Sequence, residues 1–453
     1  VTVDALTAER IGLDWLRAAV APVGAFGRRH DDTIAPYGPG DEARAHAEIT
    51  DVVALAERLD AAEVPRVRAA LRAVPEPGAI VSRARAGDAL TDVDFYELGR
   101  FVDALAALAR AWDAAGGSPE RVPPQLGTLR AILAPGRDGG TFYLDDAFAP
   151  DLRAARAALA AAEAAYEARR EAIAARVRDA IGIDPPGEEF VVLRDVYDGP
   201  LPDGVLVVRE TPTYRAAALR VVAPERDDAL AALAAVEEEA RRGLAERVAR
   251  EADAIGAATR ALGALDRLLA RVAVAQRWGG CVPRFVAPDG QADVALAGAT
   301  FAPLAETLAA RGRRYTVLDL RLRDVAVLTG PNMGGKTAAL AMLGFCCGCV
   351  ALGVPPPARE AALPLFTEIV WIGDAPSEPA RLLSSYAAEV VRARDALVRA
   401  SPRMLALVDE LASTTGPREG RALLIAFARA LRARGARALI ATHFDGVAEA
   451  AGV

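Results

Sequence analysis

Lysine is all but missing from this chain: 53 of its 54 basic residues are arginine, and the single exception is Lys336. Aromatic residues make up only 5% of a composition that is 53% hydrophobic, so alanine and leucine have to build the interior, which points to a largely helical protein. Long apolar runs are absent as well. No eighteen consecutive residues are apolar, and the best stretch, 343–354, is broken by three glycines and is too short to span a bilayer. The first residues, Val-Thr-Val-Asp-Ala, have no basic segment leading into an apolar one, so no secretory signal is read there. A soluble cytoplasmic protein with no membrane partner is the expectation. An excess of positive charge is missing too: the formal net charge is -7, which argues against coating nucleic acid by bulk charge while leaving local basic faces open.

Cysteine is rare, but three of the four, Cys346, Cys347 and Cys349, fall in one short apolar segment, with Cys281 apart. Packing as small hydrophobes on a helix is the expected role, because no second Cys-x-x-Cys lies nearby; a metal or redox site is the other reading.

At 453 residues the chain has room for two to four domains. Residues 4–115 repeat apolar positions at three and four, as in Ile49-Val52-Val53-Leu55-Ala56-Leu59, with Pro and Gly clusters between the runs. That pattern predicts a helical core domain over 1–120. From Asp151 to Ile181, Leu152, Leu159, Tyr166 and Ile173 recur at sevens, and from about 227 to 277 a similar stripe runs through Leu244, Val248, Ile255, Leu262, Leu269 and Val272. Such spacing predicts two long helices packed on partner helices, roughly 30 and 50 residues long, or about 45 and 75 Å. Between them, short β-branched runs bounded by Pro-Gly and Asp-Gly predict a small hairpin-type sheet over about 188–222. This tip carries Arg194, Arg209, Arg215 and Arg220, which read either as a solvated face or as a contact for nucleic acid or a protein partner. The whole of 121–285 is expected to form two lever helices with a clamp-like tip.

After Cys281 the pattern changes to strand, loop, helix. Val325-Ala326-Val327-Leu328 feeds Gly330-Pro331-Asn332-Met333-Gly334-Gly335-Lys336-Thr337, and Ala338 to Val350 reads as the helix leaving it. This fits G-x-x-x-x-G-K-[ST] in the strand-to-helix setting that confirms a phosphate-binding loop. The lone lysine stands where a compact ammonium can reach between β- and γ-phosphates and a planar guanidinium cannot. Thr337 is the candidate ligand for Mg²⁺, and the backbone of 330–337 with the helix N-terminus is expected to cradle ATP. Leu405-Ala406-Leu407-Val408-Asp409-Glu410 ends an apolar strand in two carboxylates. Asp409 is a candidate for the magnesium shell and Glu410 for polarising the attacking water, with a solvated strand terminus as the bland alternative. Ala441-Thr442-His443-Phe444 ends the next strand, placing His443 to sense the γ-phosphate or order the water; a satisfied core histidine is the alternative. Residues 286–453 are therefore expected to be an α/β nucleotide-binding domain, with Glu410, His443 and Lys336 catalytic.

Taken together, these segments resemble the MutS family of ABC-type ATPases. Thr329 to Thr337 is similar to that family's Gly-Pro-Asn-Met-Gly-Gly-Lys loop, Ser384-Ser385-Tyr386-Ala387-Ala388-Glu389 to its signature Ser-Thr-Phe-x-x-Glu, and Ala441 to Phe444 to its switch. The lever pair also matches the family's architecture, with Thr141-Phe142-Tyr143-Leu144-Asp145 at the start of the first arm. The resemblance implies an α-helical core and lever region followed by an α/β P-loop ATPase domain that works as a homodimer, or as a heterodimer with a related ATPase. Ser384 or Ser385 of one subunit would complete the γ-phosphate site of the other. Tyr315, about fifteen residues before the loop, sits where the family stacks an aromatic on adenine, or it packs in the core.

Several departures qualify the resemblance. No room exists before residue 4 for a mismatch-reading module, and the clamp is cut to roughly 40 residues, judged by the two apolar stripes. The family's Asp-Glu-x-Gly-Arg-Gly-Thr-Ser is here Asp409-Glu410-Leu411-Ala412-Ser413-Thr414-Thr415-Gly416, and its Arg-His-Pro element is replaced near Phe301-Ala302-Pro303. The sequence stops ten residues after His443, without the family's helix-turn-helix, as a trimmed protein or a fragment would. Two functions remain open: a mismatch-repair-related ATPase that clamps double-stranded or branched DNA, or an ATP-dependent reactivase of an adenosylcobalamin-dependent aminomutase.

Overall fold

Four strands of the C-terminal region lie side by side in the order Glu368–Gly373, Met404–Asp409, Arg437–Thr442, Val325–Thr329, all parallel, in a computed structural model. The structure describes residues 2–138, 140–287, 292–331, 334–373, 385–412 and 415–453, the side chains of Ser385 and Tyr386 excepted. Leu405, Leu407 and Leu439 enter one hydrophobic core, and Ala406, Val408, Ala438 and Ile440 enter another, so both faces of the sheet are covered. That is why these strands read as unbroken apolar runs rather than as alternating ones. In register, Gly373 lies opposite Asp409, Asp409 opposite Ala441, and Ala441 opposite Leu328. The strands therefore end level with one another, and their C-terminal ends share one edge, where open parallel sheets bind their ligands.

Helix Lys336–Ala351 leaves the phosphate loop and is buried almost all round, as its unbroken apolar sequence demands. Its three cysteines pack in the core; burial pushes Cys347 up to about 12 and raises Cys346 and Cys349 as well. Among the described residues no group of three or more His, Cys, Asp or Glu could hold a metal ion, and all four cysteines are free thiols. A second sheet, in the order Arg284–Phe285, Glu360–Leu363, Val294–Ala299, Leu318–Leu322, shares this core through Val294, Leu296, Leu322 and Leu363. Among the described residues no helix is long and apolar enough to cross a membrane.

The chain clusters into two units that interleave the sequence: Val1–Val74, Ala104–Pro124 and Ala257–Val453 in one, Pro75–Asp103 and Gln125–Gly256 in the other. This differs from the expected consecutive segments 1–120, 121–285 and 286–453. The reason lies partly in the first twenty residues, which are built into the nucleotide-binding region. Thr2 pairs with Glu368 beside the edge strand, its N–H bonding Thr367 O at 2.7 Å. Ile11, Leu13 and Leu16 then pack in the same core as the phosphate helix. Close approach is possible because a Cβ at Gly344 would come within 2.5 Å of Ile11 Cγ2, and one at Gly348 within 3.2 Å of Leu13 Cδ1.

In the second unit, helices Asp151–Ile181 and Pro224–Arg250 lie antiparallel. Leu152 packs with Leu233, Val236 and Ala240, while Arg169 bonds Glu225 at 3.0 and 3.1 Å. The expected single helix of about 50 residues is two, Pro224–Arg250 and Ala252–Trp278. At Glu251 the N–H turns back three residues to Val248 O at 3.0 Å, a tightening that no glycine or proline announces. The tip is a three-stranded antiparallel sheet in the order Glu189–Leu193, Tyr214–Leu219, Val205–Glu210. Its inner face buries Phe190, Val192, Ala217 and Leu219 against Ile173 and Val177.

Candidate nucleotide site

The loop after strand Val325–Thr329 turns on glycines. Gly335 caps the phosphate helix with φ +82°, a left-handed conformation that an L side chain resists, and Gly334 N–H bonds Pro331 O at 3.1 Å. The first turn of the helix thus presents its free N–H groups to the cavity, with the positive end of the dipole behind them. Lys336 is buried. Its Nζ donates to Gly330 O at 2.7 Å and Pro331 O at 3.2 Å, and lies 3.2 Å from Glu410 Oε1. The ammonium is folded back on its own loop.

Thr337 Oγ1 donates to both oxygens of Asp409, at 3.1 and 3.0 Å. Burial raises the Asp409 carboxyl above its usual 3.8, and the neighbouring Glu410 charge adds to that; the Thr337 hydrogen bond, Arg10 and Lys336 pull the other way without cancelling it. A hydroxyl and a desolvated carboxylate side by side are hard oxygen donors and fit Mg²⁺, which keeps few protein ligands and completes its shell with water and phosphate.

Glu410 has φ +54° and Ala412 φ +63°, both in the left-handed region at a cost of about 1–2 kcal/mol each for a residue with a side chain. The turn re-aims Glu410 across the strand end. One oxygen meets Lys336, and the other meets His443 Nδ1. Glu410 N–H bonds Ala441 O at 3.0 Å, and Ala412 N–H reaches Glu389 Oε1 at 3.3 Å, tying the loop to helix Ser385–Arg399. His443 is partly exposed and lies against Phe444, ring centroids 4.3 Å apart.

A cavity of about 1020 Å³ opens over these groups, lined by Gly334 to Ala338, Glu410 and His443 on one side. The other side is formed by Glu9, Arg10, Gly12 and Trp15 of the N-terminal segment and by Phe301, Pro303 and Leu304. Arg10 and Trp15 belong to no motif of their own and lie more than three hundred residues before the loop, so the sequence gives them no role there. Their one local signal is the Gly344 and Gly348 pair, spaced to admit a neighbouring segment. Trp15 stacks on Trp278 with centroids 5.6 Å apart, and both tilt against Phe345.

Of the site residues expected from sequence, Lys336, Thr337, Asp409, Glu410 and His443 come together. Gly330, Pro331, Gly334 and Gly335 form the loop around them. Tyr315 does not line the cavity; burial raises its hydroxyl, which faces the Phe301 backbone and Cys346. Asn332, Met333 and Ser384 lie outside the described residues. Ser385 opens the helix Ser385–Arg399, but its side chain lies outside them too.

Of the tip arginines, read from sequence as either a solvated face or a contact, two are committed within the tip. Arg194 bonds Thr211 O at 2.9 Å and pairs with Asp198 and Glu210; Arg215 is buried, donating to Gly199 O at 2.9 Å and Tyr197 O at 3.0 Å. Arg209 and Arg220 stay exposed. The outer sheet face presents Val191, Leu193, Leu206, Ala216 and Ala218, together with Glu189 and Arg209.

A family model for MutS domain V matches residues 326–452. Over 200 residues the chain is 35% identical to an endonuclease MutS2 of Anaeromyxobacter, a stretch that is 42% of this chain and 25% of that protein. It is 36% identical over 156 residues to a DNA mismatch repair protein MutS of Shouchella clausii, covering 34% of this chain and 18% of the relative. A MutS of Thermus thermophilus is 32% identical over 218 residues, 46% of this chain and 24% of its own length. The chain thus spans a quarter or less of the length of these relatives. The phosphate loop, the strand-end carboxylates and the histidine all lie inside the matched region, so residues 326–452 match the MutS domain V ATPase family, and the chain is distantly similar to MutS and MutS2 over part of its length.

Proposed function

We propose that this chain binds and hydrolyses ATP as one half of a dimeric MutS-type ATPase and applies the turnover to a client held by its helix pair and tip. The convergence of Lys336, Thr337, Glu410 and His443 on one cavity, with Asp409 bonded to Thr337 beside it, carries the reading. The triphosphate takes the loop and helix N-terminus, and Lys336 leaves the carbonyls of Gly330 and Pro331 for the β- and γ-phosphate oxygens. Thr337 and Asp409 hold Mg²⁺, which when bound neutralises charge on those oxygens. Glu410 accepts a hydrogen bond from the attacking water, and His443 fixes the carboxylate that does so. The adenine rests against the Trp15 and Phe301 wall rather than on Tyr315. Ser384 or Ser385 of a second subunit closes the γ-phosphate side.

Two variants test this. Lys336→Ala is expected to lose measurable ATP binding, while Glu410→Gln keeps binding and loses at least about 100-fold in hydrolysis. Ordinary turnover in Glu410→Gln would remove that residue from the role.

For the client, the names of the relatives bring DNA forward. The tip favours a protein surface instead. It carries six acids, Glu188, Glu189, Asp195, Asp198, Asp203 and Glu210, against four arginines, and two of those four are spent inside it. An acidic tip whose outer face exposes Val191, Leu193 and Leu206 suits a protein client, in line with an ATP-driven reactivase of an adenosylcobalamin-dependent aminomutase.

A further inference from the structure

We propose that Arg10 is a nucleotide-binding residue that contacts the terminal phosphate and so makes the site prefer a triphosphate to a diphosphate. The proposal rests on the nucleotide reading of the cavity and adds a ligand to it from outside the α/β sequence motifs.

Arg10 ends the helix Ala5–Arg10 and lines the cavity with Lys336, Thr337 and Glu410. It shares that lining with the residues assigned to the cation and to the terminal phosphates. The charges around that point need it. Lys336 alone faces Asp409 and Glu410, and Glu9 lines the cavity as well, leaving the protein side of the site net negative toward a polyanion; Arg10 offsets part of that charge. A guanidinium also offers a planar fork of donors that matches two phosphate oxygens at once.

The position of Arg10 is set by the structure rather than by a loose terminus. Asp4 caps the helix, accepting from Thr7 N–H at 2.8 Å. Thr7 Oγ1 accepts from Trp371 N–H at 2.9 Å, and Arg392 of helix Ser385–Arg399 bonds Asp4, Thr7 and Trp371 O. The far end is held by Ile11 and Leu13 against the glycines of the phosphate helix. A six-residue helix clamped at both ends delivers one cation to the cavity with little freedom left to lose on binding.

The test is equilibrium binding of ATPγS and of ADP, each with Mg²⁺, to the full chain, by titration calorimetry. Arg10→Ala is expected to weaken ATPγS about tenfold or more and ADP by less than about threefold, the signature of one lost charge-assisted contact to the last phosphate. Arg10→Lys keeps the charge without the fork and should fall between; it carries the comparison if the alanine variant does not fold. Equal loss for both nucleotides would mean that Arg10 only props the helix against Asp409, and no loss for either would mean that it does not reach the nucleotide. Either result overturns the proposal. Lys336→Ala separates the two readings. Loss of both nucleotides in that variant keeps the cavity as the nucleotide site even if Arg10 fails, whereas normal binding removes the site and this proposal with it.

Discussion

Asp409 carries a charge that burial disfavours. Burial raises its carboxyl, Glu410 adds to the rise, and Thr337, Arg10 and Lys336 only partly offset them. Because the folded value lies above the unfolded one, the stabilising effect of a proton at this site is fully present below about 3.8 and is lost as pH rises through the folded value. At neutral pH the carboxylate therefore works against the fold and toward a cation. Asp409→Asn is expected to leave thermal stability equal or slightly higher in the absence of nucleotide, while Mg²⁺-dependent hydrolysis falls by at least about 100-fold. In the unchanged protein, Mg²⁺ binding should weaken on acidification from a pH above the range of an ordinary aspartate. Calorimetry and Mg²⁺ titration over a pH series check both, and a cation affinity flat down to the ordinary aspartate range would contradict the account. Lys336 is legible at this scale from its isolation in the composition, but its carbonyl and Glu410 partners are not, since they depend on a left-handed turn at Glu410 that sequence does not announce.

The element scale is where sequence and structure part most clearly. Strands 325–329, 404–409 and 437–442 could be read because each holds a short apolar run, 325–328, 404–408 and 438–441, that leads into the phosphate loop, the Asp409-Glu410 pair or His443. The long helices could be read because Leu, Ile and Val return at helical spacing. Helix Ala5–Arg10 could not be assigned to the nucleotide region, because six residues give too little periodicity to say which surface they cover. Its partner shows only as two glycines four apart on the phosphate helix. Gly344→Ala places a methyl within 2.5 Å of Ile11 Cγ2 and 2.8 Å of Leu407 Cδ1, in a core with no slack. A loss of about 1–3 kcal/mol is expected from such overpacking. Combining it with Ile11→Ala should cost clearly less than the two changes added together, since each fills or empties the same space. Chemical denaturation of the four proteins measures this; strict additivity would show that the helix does not rest on Gly344. Weaker nucleotide binding in Gly344→Ala would accompany the destabilisation, as Arg10 moves with the helix.

For the whole molecule the open matter is the client, and charge decides what to expect. A net charge of -7 gives no attraction to a duplex at long range, so binding to DNA would need a dedicated basic surface. The tip is the natural place for one, and only Arg209 and Arg220 remain exposed there among six acids. Phosphate contacts release counterions, each steepening the log-log dependence of affinity on salt by about 0.9 for double-stranded DNA. With at most two such contacts at the tip, the slope should be shallow, near -2 at the steepest by that rule, and affinity negligible at physiological salt. Arg209→Glu with Arg220→Glu should then change little, whereas Val191→Asp with Leu206→Asp, which charges the apolar face without touching the ATPase cavity, should abolish client-stimulated turnover and leave basal hydrolysis intact. The measurements are gel shift of linear and branched duplexes across a salt series, with and without ATP, and ATPase rate with and without an aminomutase holoenzyme carrying damaged cofactor. A steep slope that the paired glutamates flatten would return the chain to DNA despite its net charge, because it would show phosphates held by the two arginines the tip leaves free.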